Sequence, residues 1–224
     1  MYLKIILILL VLYLIFILQN QTEKFTNLTN KIDKIDKKII IVGNAPFDKK
    51  NKRGKFIDSF EKVVRFNSFK LDNFSEYLGD KIDEWVVSDT HCLLHNKLFI
   101  QQNKTYPNIK INIILPMVFK NNVNKLKKKL PLSIFNKSII LIQDDDIIVD
   151  KKYNFGRRWP STGILSIYHY LNYYDKIYLT GFNHFDPNEK TIHYYEKRKQ
   201  IGHQHHLEKK IVDDLVKEGR IVRI

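Results

Sequence analysis

The sequence predicts an α/β domain in which helices sandwich a mostly parallel sheet. Two observations support this class. Short apolar runs rich in isoleucine and valine, which are typical of buried strands, alternate along the chain with stretches of helical spacing. The segment from Lys38 to Ile224 is long enough to bury one sizeable core, and it contains no internal repeat.

The apolar runs predict strands at 38–42, 61–66, 84–87, 109–115, 138–142 and 176–180. Residues at helical spacing predict helices at 89–99, 118–130, 162–173 and 207–217. In parallel sheets, ligands bind at the edge where the carboxyl ends of the strands meet. The strand ends place the following positions at that edge: Gly43, Asn44, Asn67, Ser88, Asp89 and Gly181.

The N-terminal segment predicts a membrane anchor. Residues 2–18 are apolar apart from Lys4, and their length suits a bilayer-spanning helix. No site of the Ala-x-Ala type follows, so we expect an uncleaved anchor rather than a signal peptide. Residues 19–37 have the polar composition of a stem. The predicted organisation is an anchor (1–18), a stem (19–37) and a catalytic domain (38–224), with a short tail inside and the domain across the membrane, in a lumen.

The basic composition does not predict nucleic-acid binding. The net charge is +14, but only 7 of the 38 basic residues are arginines, and the lysines are spread along the chain. Nucleic-acid sites favour arginine and interleave basic side chains with stacking aromatics. We therefore expect no nucleic-acid partner, although a basic surface still attracts anionic small molecules or membrane headgroups.

Cysteine is used once, at Cys92, which excludes an intrachain disulfide. His91 and His95 flank it, but a structural zinc site needs four ligands, usually in paired spacings. A buried cysteine on a helix is the better interpretation. The absence of disulfides also leaves open a domain that faces the cytoplasm.

Two asparagines at the predicted edge have side chains suited to a nucleotide. The amides of Asn44 and Asn67 both donate and accept hydrogen bonds, as a ribose hydroxyl or a phosphate oxygen requires. Gly43 permits close approach of another backbone or a ligand. The alternative is ordinary turn chemistry, which asparagine favours.

The segment from Trp159 to Gly163 predicts a helix start that binds anions. Ser161 is placed to cap a helix that begins at Thr162, and the unpaired amides of a helix start bind phosphate or carboxylate. The alternative is a plain capped helix. Gly163 argues against it, because glycine in a first turn costs about 1 kcal/mol relative to alanine unless a close neighbour requires it.

Five of the eight histidines lie between His184 and His206. Histidine exchanges protons near neutral pH, so this cluster suggests a catalytic or metal-binding site. The alternative is a group of solvated surface histidines.

Taken together in order, these residues resemble the four motifs of the eukaryotic-type sialyltransferase family. The large motif is matched by Gly43-Asn44, Gly54, Ile57-Asp58-Ser59, 63–67 and Gly79, and the small motif by 160–163, Asp175 and Gly181-Phe182. The third motif is matched by His193-Tyr194-Tyr195-Glu196, and the very small motif by His203 and Glu208.

The resemblance implies a modified nucleotide-binding fold, a Rossmann-like variant of the GT-A type. It implies an inverting, metal-independent transferase without a cofactor, which moves sialic acid or a similar acidic sugar from a CMP-sugar donor to a glycan acceptor. Residues matched to the donor site are Asn44, Asn67, Ser161, Thr162, Gly163, Gly181, Tyr194 and Glu208. His193 is matched to a contact with the donor phosphate and His203 to the catalytic base. Glu208 is then expected to orient His203, unless it is an exposed helix residue paired with a lysine.

Vertebrate members of that family join the two main motifs by a disulfide, and the matching positions here are Ile39 and Tyr174. Either apolar packing replaces the disulfide or the domain folds in a reducing compartment.

Two other functions remain open. One is a metal-dependent hydrolase or transferase with His193, Glu196, His203 and His205 as ligands. The other is a membrane-tethered, inactive homologue that binds CMP or a sugar.

Overall fold

The computed structural model describes residues 38–47, 50–144, 151–156, 158–183, 193–195 and 204–224. The segment Lys37–Ile224 forms one compact unit. The predicted anchor and stem, residues 2–37, lie outside the described residues and stay predictions. Within the described ranges, no helix is both long and apolar enough to cross a bilayer.

A seven-stranded sheet in the described residues has the order β5-β4-β3-β2-β1-β6-β7. All neighbouring strands are parallel. The strands are β1 (Ile39–Val42), β2 (Lys62–Phe66), β3 (Glu84–Ser88), β4 (Lys110–Pro116), β5 (Ser138–Gln143), β6 (Ile177–Thr180) and β7 (Ile221–Arg223). The predicted α/β class and all six predicted strands are confirmed. The seventh strand was missed because its three residues are too few to show an apolar pattern.

The helices are α1 (Gly54–Asp58), α2 (Ser75–Leu78), α3 (Asp89–Leu94), α4 (Asn96–Thr105), α5 (Asn122–Lys129), α6 (Leu132–Lys137), α7 (Thr162–Leu171) and α8 (His205–Lys217), with a 3₁₀ turn at Met117–Phe119. The helix predicted at 89–99 is in fact two helices, which meet at His95. The predicted start at Val118 is wrong, because the 3₁₀ turn precedes α5. Helices α1, α2 and α6 are too short to show a full apolar period.

Helices cover both faces of the sheet. Ile39 and Ile41 of β1 pack in a cluster with α7 and α8, whereas Ile40 packs with Ile57 on the other face. Helices α3 to α6 cover β3 and β4 on that second face, through the buried side chains Cys92, Phe99, Leu126 and Ile134. Because β1 is buried on both faces, its continuous apolar run is explained.

Ile39 and Tyr174, matched to the lost disulfide, are both buried in the cluster formed with α7 and α8. Apolar packing thus occupies the region that the disulfide would join, which supports the first of the two explanations for its loss. A native disulfide is typically worth about 2 to 5 kcal/mol, a size that a few well-buried side chains supply.

Several residues matched to the large motif hold the connection between β2 and β3. The buried Arg65 guanidinium donates to the carbonyl oxygens of Leu78 and Gly79 at 2.7 and 3.1 Å. The Asp58 carboxylate accepts the amides of Asp80 and Lys81 at 3.0 and 2.9 Å. At Gly79, with φ of +70°, a Cβ would lie 2.1 Å from Asp58 Oδ1. These motif positions therefore stabilise the fold beside the strand edge.

Candidate active site

A cavity of about 480 Å³ opens at the carboxyl ends of β3 and β4, between the chain after β2 and the start of α7. Its lining residues are Asn67, Ser88, Asp89, Thr90, Ile114, Pro116, Phe119, Arg158, Trp159, Pro160, Ser161, Thr162 and Leu165. The volume lies in the range of small-molecule sites. The cavity occupies the edge at which the sequence predicted ligand binding.

The start of α7 faces this cavity. The Ser161 hydroxyl caps the helix by accepting the amide of Ile164 at 3.4 Å, and α7 begins at Thr162, as predicted. Amides in the first turn of a helix have no acceptor within the helix, and the helix dipole makes this end electropositive. Since Thr162 lines the cavity, the amides that follow Ser161 offer hydrogen-bond donors to an anion. The Ser161 amide and hydroxyl themselves donate to Glu208.

The close neighbour expected at Gly163 is the side chain of Phe182. A Cβ at Gly163 would lie 3.0 Å from the ring of Phe182. The ring packs in turn against Phe66, with centroids 5.5 Å apart. The absence of a side chain at Gly163 is therefore explained by packing of α7 against the chain after β6. A donor contact through its backbone amide stays a prediction.

Asn67 directs an amide toward the cavity. It has a φ of +47°, a conformation that asparagine tolerates well. Its Oδ1 accepts the amide of Ser88 at 3.1 Å, which joins the chain after β2 to the start of α3. In the described part of the chain, its Nδ2 makes no hydrogen bond. This nitrogen is suited to bind a hydroxyl or phosphate oxygen.

Asn44, unlike Asn67, is held in the interior between β1 and the chain after β2. Its Nδ2 donates to the carbonyl oxygens of Phe66 and Ser68 at 3.0 and 2.9 Å, and its own carbonyl accepts the amide of Tyr194 at 3.0 Å. The side chain is buried and joins β1 to the chain after β2. Its amide nitrogen is used within the fold, and Asn44 is not among the residues that line the cavity. The ligand contact expected of Asn44 stays a prediction.

Gly43 and Gly181 lie in direct backbone contact, and this contact leaves no room for a side chain at either position. A Cβ on Gly43 would lie only 2.1 Å from the Gly181 carbonyl oxygen, and the Gly43 amide donates to Thr180 at 2.7 Å. Gly181 has a φ of +71° and accepts the amide of Ala45 at 3.0 Å. The close approach predicted at Gly43 is therefore made by the backbone of Gly181. Packing of two strand ends therefore accounts for glycine at position 181. The predicted donor contact of Gly181 stays a prediction.

The third motif lies near the ends of β1 and β2. The His193 ring stacks on Tyr195, with centroids 5.1 Å apart, and the Tyr195 hydroxyl donates to Ser68 at 2.7 Å. The Tyr194 hydroxyl donates to the Lys70 carbonyl at 2.6 Å and accepts the Lys70 amide at 2.8 Å. Burial raises the pKa of Tyr194 to about 12. Its proton is thus directed to the Lys70 carbonyl. The match of Tyr194 to the donor site stays a prediction.

Glu208 lies on the first turn of α8 and contacts the start of α7. Its carboxylate accepts the Ser161 amide at 2.9 Å and the Ser161 hydroxyl at 2.8 Å. The side chain is 3% exposed, and burial raises the pKa of Glu208 to about 7. The alternative of an exposed helix residue paired with lysine is wrong. Whether Glu208 also orients His203 is untested, because His203 lies outside the described residues.

A scan of family models matches residues 14–220 to glycosyltransferase family 29 (sialyltransferase). The chain belongs to this family. Members take their sugar from a CMP-sugar donor and work without a metal ion. No curated protein sequence matches the chain significantly.

Solved sialyltransferases share the fold. A mammalian sialyltransferase in complex with Gal-beta-1-3GalNAc-ortho-nitrophenol is 20% identical, with a TM-score of 0.62 over 84% of this chain and 69% of that one. CstII of Campylobacter jejuni in complex with cytidine-5'-monophosphate is 18% identical, with a TM-score of 0.53 over 84% of this chain and 78% of that one. Both likenesses confirm the Rossmann-like α/β architecture.

Two members of the histidine cluster of this sialyltransferase, His184 and His203, lie outside the described residues, as does Glu196. Among the residues that are described, no three His, Cys, Asp or Glu side chains are grouped as metal ligands. On the C-terminal side of His203, Gln204 donates to the Phe155 carbonyl at 2.5 Å, and His205 then begins α8.

Sequence reasoning missed six of the residues that line the cavity of this sialyltransferase, among them Arg158, Phe119 and Thr90. Arg158 is the one cation among the described lining residues, and Phe119 packs edge-on against Trp159 with centroids 5.6 Å apart. Thr90 follows β3. A signal was present for Arg158, since arginine is scarce in this lysine-rich chain and Arg158 lies four positions before the predicted helix start at Thr162. Phe119 and Thr90 gave no such signal.

Proposed function

We propose that this chain transfers sialic acid, or a similar acidic sugar, from a CMP-sugar to a hydroxyl of a glycan acceptor, with inversion at the anomeric carbon. One observation carries this proposal beyond family membership. A single cavity at the strand edge combines the start of α7, the guanidinium of Arg158 and the amide of Asn67. These are the groups that bind a phosphate and a ribose.

The donor phosphate is assigned to the start of α7. The helix dipole and the amides of Thr162 and Gly163 favour a negative charge there, and Arg158 adds a full positive charge. Asn67 Nδ2 is left for a ribose or phosphate oxygen. The comparison with CstII, whose structure contains cytidine-5'-monophosphate, supports the same nucleotide for this chain.

The reaction requires a base for the acceptor and stabilisation for the leaving group. His203, when neutral, takes the proton from the acceptor hydroxyl as its oxygen attacks the anomeric carbon, which carries oxocarbenium-like charge while CMP departs. Attack from the face opposite CMP gives inversion. Charge that develops on the departing phosphate is met by His193, the α7 amides and Arg158, which are held in place before the reaction.

A donor panel tests the function. The full chain is incubated with CMP-sialic acid, CMP-Kdo, UDP-galactose or GDP-mannose and a panel of glycan acceptors, with and without EDTA. Nucleotide release and product mass are measured. We expect release and a sialylated product with CMP-sialic acid in both conditions. Activity that EDTA abolishes would favour the metal-dependent alternative, and tight CMP binding without turnover over all acceptors would favour the inactive homologue.

Replacing Asn67 with aspartate should weaken CMP binding about tenfold, because the Nδ2 donor becomes a charged oxygen that repels phosphate. The variant keeps Oδ1 for the Ser88 amide and a residue type that tolerates positive φ. Calorimetric titration with CMP measures the change. Asn73→Asp is the matched control, since Asn73 also has a positive φ, of 68°, and does not line the cavity. Equal affinity in the two variants would remove Asn67 from the donor site.

A further inference from the structure

The part of the chain from Thr90 to Gln143 contains no acidic residue and no arginine. It contributes α4 to α6 and all of α3 except Asp89, which is buried and accepts a hydrogen bond from Asn122. These four helices cover β3 and β4 on one face of the sheet, and we call them the basic layer. The lysines of this segment are Lys97, Lys104, Lys110, Lys120, Lys125, Lys127, Lys128, Lys129 and Lys137. The net charge of the protein is therefore concentrated in this part of the fold.

The lysines of this segment are all exposed. Lys110 pairs with Glu84 at 3.0 Å. Lys129 and Lys137 donate to the backbone carbonyls of Leu93 and Pro107 at 3.2 and 2.7 Å. Apart from Lys110, none of them forms an ion pair with the residues that the structure describes. The charge is thus available to an external anionic partner.

The same layer exposes aliphatic side chains. Among the described residues, the three most exposed large apolar side chains are Leu94, Leu132 and Leu98, at 71%, 62% and 60%, and all three belong to this layer. The bond from Lys129 to the Leu93 carbonyl places the end of α5 beside Leu94. Exposed leucines beside unpaired lysines form a surface that is both apolar and cationic.

The side chains on the surface of the basic layer favour an anionic bilayer over a nucleic acid as its partner. Nucleic-acid sites rely on arginine and on aromatic side chains that stack with bases, and this layer has no arginine and no exposed aromatic side chain. Lysines with exposed leucines match the headgroups and acyl boundary of an anionic bilayer. We propose that the outer side of the basic layer docks on an anionic membrane surface, with Leu94 and Leu98 inserted among the headgroups. This proposal does not depend on the proposed function.

Hydrogen exchange of the full chain on vesicles tests the docking. The chain is reconstituted in phosphatidylcholine vesicles, either pure or with about 30% phosphatidylserine, so that any N-terminal anchor is present equally in both. Peptides covering α4 and α5 should be protected only on the anionic vesicles. About 0.5 M salt should remove this protection, because it screens the headgroup charge.

Charge-reversal variants locate the surface. Replacing Lys125, Lys127 and Lys128 with glutamate should abolish the protection on anionic vesicles. The matched control replaces Lys151, Lys176 and Lys217, which are exposed lysines outside the basic layer, with the same charge change. Thermal unfolding checks that both variants fold. Equal protection on neutral vesicles, or protection that survives in the first variant, would overturn the proposal. Protection by heparin or RNA with none by vesicles would also overturn it.

Discussion

Replacing His203 with alanine is expected to slow sialyl transfer by about 10² to 10⁴-fold, the usual contribution of a positioned general base. CMP binding should change little, because the proposed partner of His203 is the acceptor hydroxyl. Two neighbours of His203 in the sequence, Gln204 and Glu208, contact other parts of the fold. Glu208, five positions after His203, is bonded to Ser161 at the cavity, and Gln204 is bonded to Phe155.

CMP release from CMP-sialic acid and calorimetric CMP binding are each measured for the wild type and for His203→Ala. His206→Ala is the matched control, because His206 is an exposed histidine on the first turn of α8. Partial rescue of His203→Ala by added imidazole would support the role of a base. A variant that transfers at the normal rate, or that loses CMP binding in proportion to activity, would exclude His203 as the base.

Glu208 is expected to make the folded protein less stable as the pH rises. Its pKa is about 7 in the folded chain, above the value of 4.5 that it has when unfolded. Between these values the folded chain keeps a proton that the unfolded chain has lost. The stabilisation is therefore fully present below about pH 4.5 and is lost as the pH rises through 7, for a total of roughly 3 kcal/mol.

Urea denaturation at pH 5 and pH 8 tests this effect. Glu208→Gln should remove most of the difference between the two pH values, because the amide does not titrate and can still accept the Ser161 amide. Glu218→Gln is the matched control, as it changes an exposed glutamate at the other end of α8. If Glu208→Gln keeps the full pH dependence of the wild type, another group is responsible for it.

The fold was predictable where local pattern and burial coincide. The run from Ile39 to Val42 is apolar throughout because β1 is buried on both faces, so its sequence alone predicts a central strand. Strand β7 and helix α1 gave no such signal, since a few residues cannot show a period. They are stabilised by contacts with distant parts of the chain, such as the pairing of Ile221 with Ile177.

The site was predictable in part for the same reason. Ser161 caps α7 through a bond to Ile164 three residues away, which is a local interaction that the sequence encodes directly. Asn67 followed from the rule that ligands bind at strand ends. Phe119 joins the cavity only because α7 and the chain after β4 meet in space, and no local pattern predicts such a meeting.

By itself, the sequence determined the alternation of strands and helices, the capped start of α7 and the ordered motifs of a sialyltransferase. Only the tertiary structure decided what individual motif residues do. Glu208 is separated from Ser161 by 47 positions, and the sequence allowed either an exposed or an orienting role for it. Its burial and its raised pKa arise from packing of α8 on α7. Desolvation and long-range hydrogen bonds depend on the folded arrangement, whereas capping and strand periodicity depend on near neighbours.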